Sequence, residues 1–73
     1  MIIYETWDGF TGESKYFTSR AAAHKEAESI IRENYGSPLC EQKLMDLAEN
    51  GIVYDKFGLE IVAVNTVEVY DEE

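Results

Sequence analysis

The sequence predicts an α+β fold, an antiparallel sheet of about four strands with two helices packed on one face. Three observations lead there. Aromatic and β-branched residues crowd both ends of the chain, apolar residues recur at helical spacing in the middle, and glycine- or proline-containing breaks separate the segments. In chain order the segments read ββααββ, within a single compact domain covering residues 1–73.

The first strand covers residues 2–7, where Ile3, Glu5 and Trp7 alternate with Ile2, Tyr4 and Thr6. Asp8-Gly9-Phe10-Thr11-Gly12 supplies the turn, and Lys15-Tyr16-Phe17-Thr18 returns as a second strand. Ser19 or Thr18 then caps a helix over residues 20–34, its hydroxyl accepting from the orphan N–H groups of the first turn. Ala23, Ala27, Ile30 and Ile31, with Asn34 or Tyr35, form the apolar stripe, and the consecutive alanines let this helix lie close to a sheet. Gly36 is the expected C′ residue.

Ser37-Pro38 restarts a helix, with serine as N-cap and proline in the first helical position. Leu39, Cys40, Leu44, Leu47 and Ala48 make its apolar stripe, and Asn50-Gly51 stops it. Ile52-Val53-Tyr54 reads as a strand, Asp55-Lys56-Phe57-Gly58 as a turn, and Leu59 to Tyr70 as a final strand. That last run is long, so a bulge or bend is expected at Asn65-Thr66.

Composition narrows the function. Fifteen acidic side chains against six basic ones give a formal net charge of −9. Such a surface repels nucleic acid and anionic membrane and attracts basic protein surfaces. Cys40 is the lone cysteine, which rules out an internal disulfide and favours a reducing compartment. Met1-Ile2-Ile3-Tyr4-Glu5 has neither the basic region nor the apolar run of a signal peptide. The longest apolar run, Ile61 to Val64, falls far short of the roughly 20 residues of a membrane span. The expectation is a soluble, cytoplasmic protein.

No residue set points to catalysis. His24, the sole histidine, is expected on the solvent side of the first helix, and with Cys40 it cannot complete a zinc set. Cys40 reads as a small buried hydrophobe. The stretch from Asp8 to Glu13 lacks the oxygen ligands a calcium loop needs at its third and fifth positions, occupied by Phe10 and Gly12. Its glycines match no phosphate-binding pattern. Neither an enzyme, a cofactor nor a metal is expected.

The acids are the candidate recognition residues. Glu26 and Glu33 share a face of the first helix, Glu28 and Arg32 are placed to pair, and Asp46 and Glu49 line one side of the second helix. Asp71, Glu72 and Glu73 extend the acidic run. Helical neighbours three or four apart lie about 5–6 Å apart at Cβ, a scale comparable to phosphate spacing along a nucleic-acid strand. Trp7, Phe10 and Tyr70 join the site as aromatic anchors on strands or hairpin tips.

The expected function is that of a small, non-catalytic protein-binding module. Its acidic face would dock on a basic, nucleic-acid-binding surface as a nucleic-acid mimic. In size, acidity and lack of a catalytic set the chain is similar to small phage-encoded inhibitors of the anti-CRISPR and anti-restriction type, a likeness of composition and length. The alternative is an adaptor or homodimer that binds through its aromatic and hydrophobic sheet surface, including edge pairing of the last strand, with charge serving solubility.

Overall fold

The structure is a computed structural model and describes residues 1–70. It has a four-stranded antiparallel sheet and two helices in the order β1 (Ile2–Asp8), β2 (Glu13–Phe17), α1 (Arg20–Asn34), α2 (Leu39–Asn50), β3 (Ile52–Tyr54) and β4 (Glu60–Glu68). The strands lie in the order β2-β1-β4-β3. The chain's first and last strands are therefore neighbours at the centre of the sheet.

Strand alternation sorts the side chains onto two faces. Thr6 pairs with Lys15 on β2 and with Val64 on β4, and its hydroxyl donates to the carbonyl of Ala23 in α1 at 2.7 Å. This parity belongs to the helix-covered face. Glu5 pairs with Tyr16 and Asn65, which places that set on the opposite, open face. The core forms where α1 and α2 cover β3 and β4, from Ala27, Ile30, Ile31, Leu47, Val53, Ile61 and Val62.

Local chemistry explains most boundaries. The hydroxyl of Ser19 accepts from the N–H of Ala22 at 3.1 Å, which selects Ser19 as the cap of α1. Alanines 23 and 27 are fully buried, so this helix does lie close to the sheet. Gly51 closes α2 in the left-handed region at φ 71°, its N–H donating to the carbonyl of Leu47 at 2.8 Å. At the β3–β4 turn, Asp55 Oδ1 accepts from the N–H groups of Phe57 and Leu59 at 2.8 and 2.9 Å.

Four expectations are corrected. Gly36 does follow the C-cap Tyr35 as the C′ residue, but without a left-handed turn: Tyr35 leaves the helix in extended conformation, with its N–H still bonded to Ile31. Ser37 does not cap α2 and Pro38 is not its first helical residue; Pro38 holds the N-cap position before Leu39, and the N–H of Cys40 goes to the carbonyl of Gly36 at 2.9 Å. The stripe of α2 is narrower than its sequence spacing predicts: Leu47 is buried and Cys40 and Leu44 pack on the core, whereas Leu39 and Ala48 are exposed. His24 is half-buried rather than solvent-facing.

The bulge also lies elsewhere. Val53 pairs with Val62 and Tyr54 with Glu60, so Ile61 is the extra residue, while Asn65 and Thr66 pair regularly with Glu5 and Tyr4. The bulge turns Ile61 and Val62, adjacent in the chain, into the same core. It also presents the carbonyl of Ile61 to the N–H of Gly9 at 2.7 Å, which ties the β1–β2 turn to β4.

Past the helices, β1 and β4 continue as a ribbon. Met1 and Val69 exchange bonds between main-chain N and O atoms there, and Met1, Ile2, Val69 and Tyr70 stay exposed. The radius of gyration, 12.9 Å, exceeds the value of about 11 Å expected for a compact chain of this length. Among the described residues no helix is long and apolar enough to cross a membrane.

The Gly9 contact yields a test. A Cβ at position 9 would meet Glu60 O at 2.7 Å and Ile61 Cα at 2.9 Å, both backbone atoms that cannot turn aside. Gly9→Ala is expected to cost about 1–3 kcal/mol, lowering Tm by roughly 4 °C or more in thermal denaturation. Gly36→Ala, which meets open space, should leave stability within about 0.5 kcal/mol.

Candidate functional site

The candidate acids divide into three groups. Glu26 and Glu33 of α1 line one cleft together with Asp8 and Glu13 of the β1–β2 hairpin. The cleft holds about 140 Å³ between helix and hairpin and is completed by Thr11, Ser29 and Lys15. Asp46 and Glu49 of α2 are not among its walls; Asp46 is half-buried and Glu49 exposed. Asp71, Glu72 and Glu73 lie outside the described residues.

Lys15 is the one cation of the cleft, and it sits 3.3 Å from Glu26. Arg32 pairs with Glu28 at 3.4 Å, as their spacing predicts. These are the two ion pairs among the described residues, so Asp8, Glu13 and Glu33 have no cationic partner there. Asp8 is fixed locally, its Oδ1 accepting from the N–H of Phe10 at 2.9 Å.

Four of the acids run against the secondary structure that carries them, although Glu41 stands in the favoured first turn of α2. Asp8 and Glu13 are directly opposite in the hairpin register, where like charges destabilise. Glu33 stands in the last turn of α1 and Glu49 in that of α2, at the negative end of each helix dipole. The first turn of α1, where carboxylates are favoured, has none.

Asp8 and Glu13 were not among the sequence candidates. The signal was present in principle, since a turn of Gly9 to Gly12 places the flanking residues opposite each other. What the sequence does not state is that α1 lies over the hairpin and brings Glu26 and Glu33 to the same cleft.

The aromatic candidates also separate. Phe10 is 44% exposed, but its ring meets that of Tyr35 edge-on at 6.0 Å, pinning the hairpin tip to the end of α1. Trp7 is half-buried on the open sheet face, in register with Ala63 and Ser14. Tyr70 is 77% exposed at the end of the ribbon.

A second cleft of about 460 Å³ forms where α2 meets the β3–β4 turn, lined by Tyr35, Leu39, Lys43, Asp55, Lys56 and Phe57. Lys43 donates to the carbonyl of Tyr54 at 2.8 Å and lies 5.9 Å from the Tyr35 ring centroid, while Lys56 lies 5.2 Å from that of Phe57. Burial raises the pKa of the Tyr35 phenol, and the negative charge of Asp55 raises it further.

Among the described residues no group of three or more His, Cys, Asp or Glu side chains could hold a metal ion. Compared with known proteins, the chain matches no family model, no curated protein and no solved structure.

The Tyr35 shift has a defined consequence. Above pH about 10 an unfolded chain gives up the phenol proton while the native state keeps it, so stability falls as pH climbs through that range towards the raised native pKa. Tyr35→Phe removes this contribution. Denaturant midpoints measured between pH 9 and 11 should therefore fall less in Tyr35→Phe than in the wild type, roughly in line with the direction of the shift.

Proposed function

We propose that the protein is a non-catalytic binding module of the cytoplasm whose acidic face docks on a basic, nucleic-acid-binding surface of another protein. The observation that carries this reading is the cleft between α1 and the hairpin, which Asp8, Glu13, Glu26 and Glu33 line with Lys15 as its one cation, paired to Glu26. Four carboxylates on two rigid elements form a fixed negative surface. Asp8, Glu13 and Glu33 occupy positions that cost stability, a feature accounted for when an outside cation completes them.

Nucleic-acid mimicry follows from the same geometry. Glu26 and Glu33 stand about two helical turns apart, roughly 10 Å along the axis, and the hairpin acids widen the row into a patch. A groove built to hold a phosphate backbone would meet a comparable series of negative charges. An inhibitor of the kind phages direct at nucleic-acid-processing proteins is the sharpest form of this proposal.

A second reading is favoured by one observation. Leu39, Phe57 and Leu59 are 44%, 76% and 65% exposed around the α2–turn cleft, flanked by Lys43 and Lys56. An adaptor or homodimer would use such an apolar surface, or the edge of β4 beyond Ala63, where β3 no longer pairs with it. Sedimentation equilibrium at rising concentration separates the two, since a mimic stays monomeric until it meets its partner.

The test is capture from the lysate of the cell of origin with wild-type protein and with Glu26→Lys/Glu33→Lys, at about 0.1 and 1 M salt. The expected outcome is a partner retained at low salt, released at high salt, displaced by added nucleic acid and lost with the variant. A partner whose retention ignores salt, nucleic acid and charge reversal alike would overturn the reading.

A further inference from the structure

We propose that the open face of the sheet is a docking site for an arginine side chain of the partner, stacked between Trp7 and Tyr16 over the carboxylate of Glu5. The proposal deepens the reading of a basic partner and rests on it. Its starting point is a charge that the fold holds in place without neutralising it.

Glu5 lies mid-strand in β1, half-buried on the face away from the helices. Its Oε2 accepts from the Ser14 hydroxyl at 2.7 Å and, more weakly, from the Tyr16 hydroxyl at 3.5 Å, and its Oε1 accepts from Asn65 Nδ2 at 3.0 Å. Donors from both neighbouring strands thus fix both oxygens, and all of them are neutral. Neither ion pair among the described residues involves Glu5. The side chains beyond the described residues, Asp71, Glu72 and Glu73, are all acidic and supply no cation.

A half-buried carboxylate with neutral partners alone keeps most of its unbalanced charge. An ionised carboxylate offers about four acceptor positions, so three bonds leave room for one more donor. The neighbours select the donor. Tyr16 stands directly opposite Glu5, about 5 Å away at Cβ, and Trp7 follows two residues along the same strand, about 7 Å away.

Aromatic side chains on two sides of a fixed carboxylate suit a planar cation. A guanidinium stacks on such rings while donating in its own plane, and it sheds water more readily than an ammonium. Ile3, Ile52 and Val67, half-buried on the same face, give the arginine stem an apolar surface to cover. This face is separate from the α1–hairpin cleft, since Lys15 and Glu13 take the opposite parity from Ser14 and Tyr16.

Trp7 is the only tryptophan, so its fluorescence reports the face directly. The probes are two blocked glycine-serine hexapeptides, one with a central arginine and one with a central lysine, titrated at about 0.1 M salt. The arginine peptide should perturb Trp7 emission and the amide resonances of Glu5, Tyr16 and Asn65, and bind at least about threefold more tightly than the lysine peptide. Glu5→Gln should weaken arginine binding about tenfold or more. Trp7→Phe, a second variant should Glu5→Gln fail to fold, should reduce the preference for arginine over lysine, read from the amide resonances of Glu5, Tyr16 and Asn65.

Equal binding of the two peptides, or arginine binding unchanged in both variants, overturns the proposal. Glu26→Lys/Glu33→Lys should leave the arginine preference intact, because those residues lie on the other face. If the preference is absent while capture of the partner still depends on salt and on Glu26 and Glu33, the arginine site fails and the acidic-face reading stands.

Discussion

Every residue of β1, from Ile2 to Asp8, pairs with β4, from Glu68 to Val62, and the sheet has no centre until the two ends of the chain meet. Closing so long a loop costs entropy before any side chain is buried, and the hairpin of β1 and β2 cannot supply that burial alone. Once β1 and β4 are joined, β2 and β3 become edge strands and α1 finds a surface to cover. Register then decides what each face presents, because a shift of one residue would exchange Thr6 for Glu5 on the helix side. The Thr6 hydroxyl on Ala23 and the Gly9 N–H on the Ile61 carbonyl fix that register, one through α1 and the other along β4.

From this register two distinct faces follow. The helix-covered side carries Lys15 and Glu13 outward to the rim, where α1 adds Glu26 and Glu33, and an acidic cleft results. The open side carries Trp7, Tyr16 and Glu5, a polar network set among aromatic and aliphatic groups. In the proposed reading both would receive cations, but of different kinds. The first would work through accumulated charge and be sensitive to screening, whereas the second would work through shape and a single fixed acceptor.

Much of the fold was legible in the sequence because its signals are local. The cap at Ser19, the stop at Gly51, the Glu28–Arg32 pair and the order ββααββ each depend on residues within a few positions of one another. The features that escaped depend on distant partners. The bulge belongs at Ile61 because Gly9, remote in sequence, hooks its carbonyl. Ser37 is a local exception, left out of the cap because the helix starts one residue later, with Pro38 as its N-cap. The acid pairing in the helices was readable, but the addition of Asp8 and Glu13 needed α1 laid over the hairpin. Glu5 was visible as an alternating strand residue, and nothing in its neighbours in sequence announced Asn65 as a donor sixty residues away.

The central claim is that the acids are held at a cost to the isolated domain, and Glu33 is the plainest case. It sits at the negative end of α1 in a cleft shared with three other carboxylates and without a cation of its own among the described residues. The most direct measurement is the Tm of Glu33→Gln against the wild type at low and at about 1 M salt. The account predicts a gain of about 2–5 °C at low salt that disappears when the charges are screened. A Glu33→Gln variant that is less stable than the wild type at low salt, or equally stable, would contradict it.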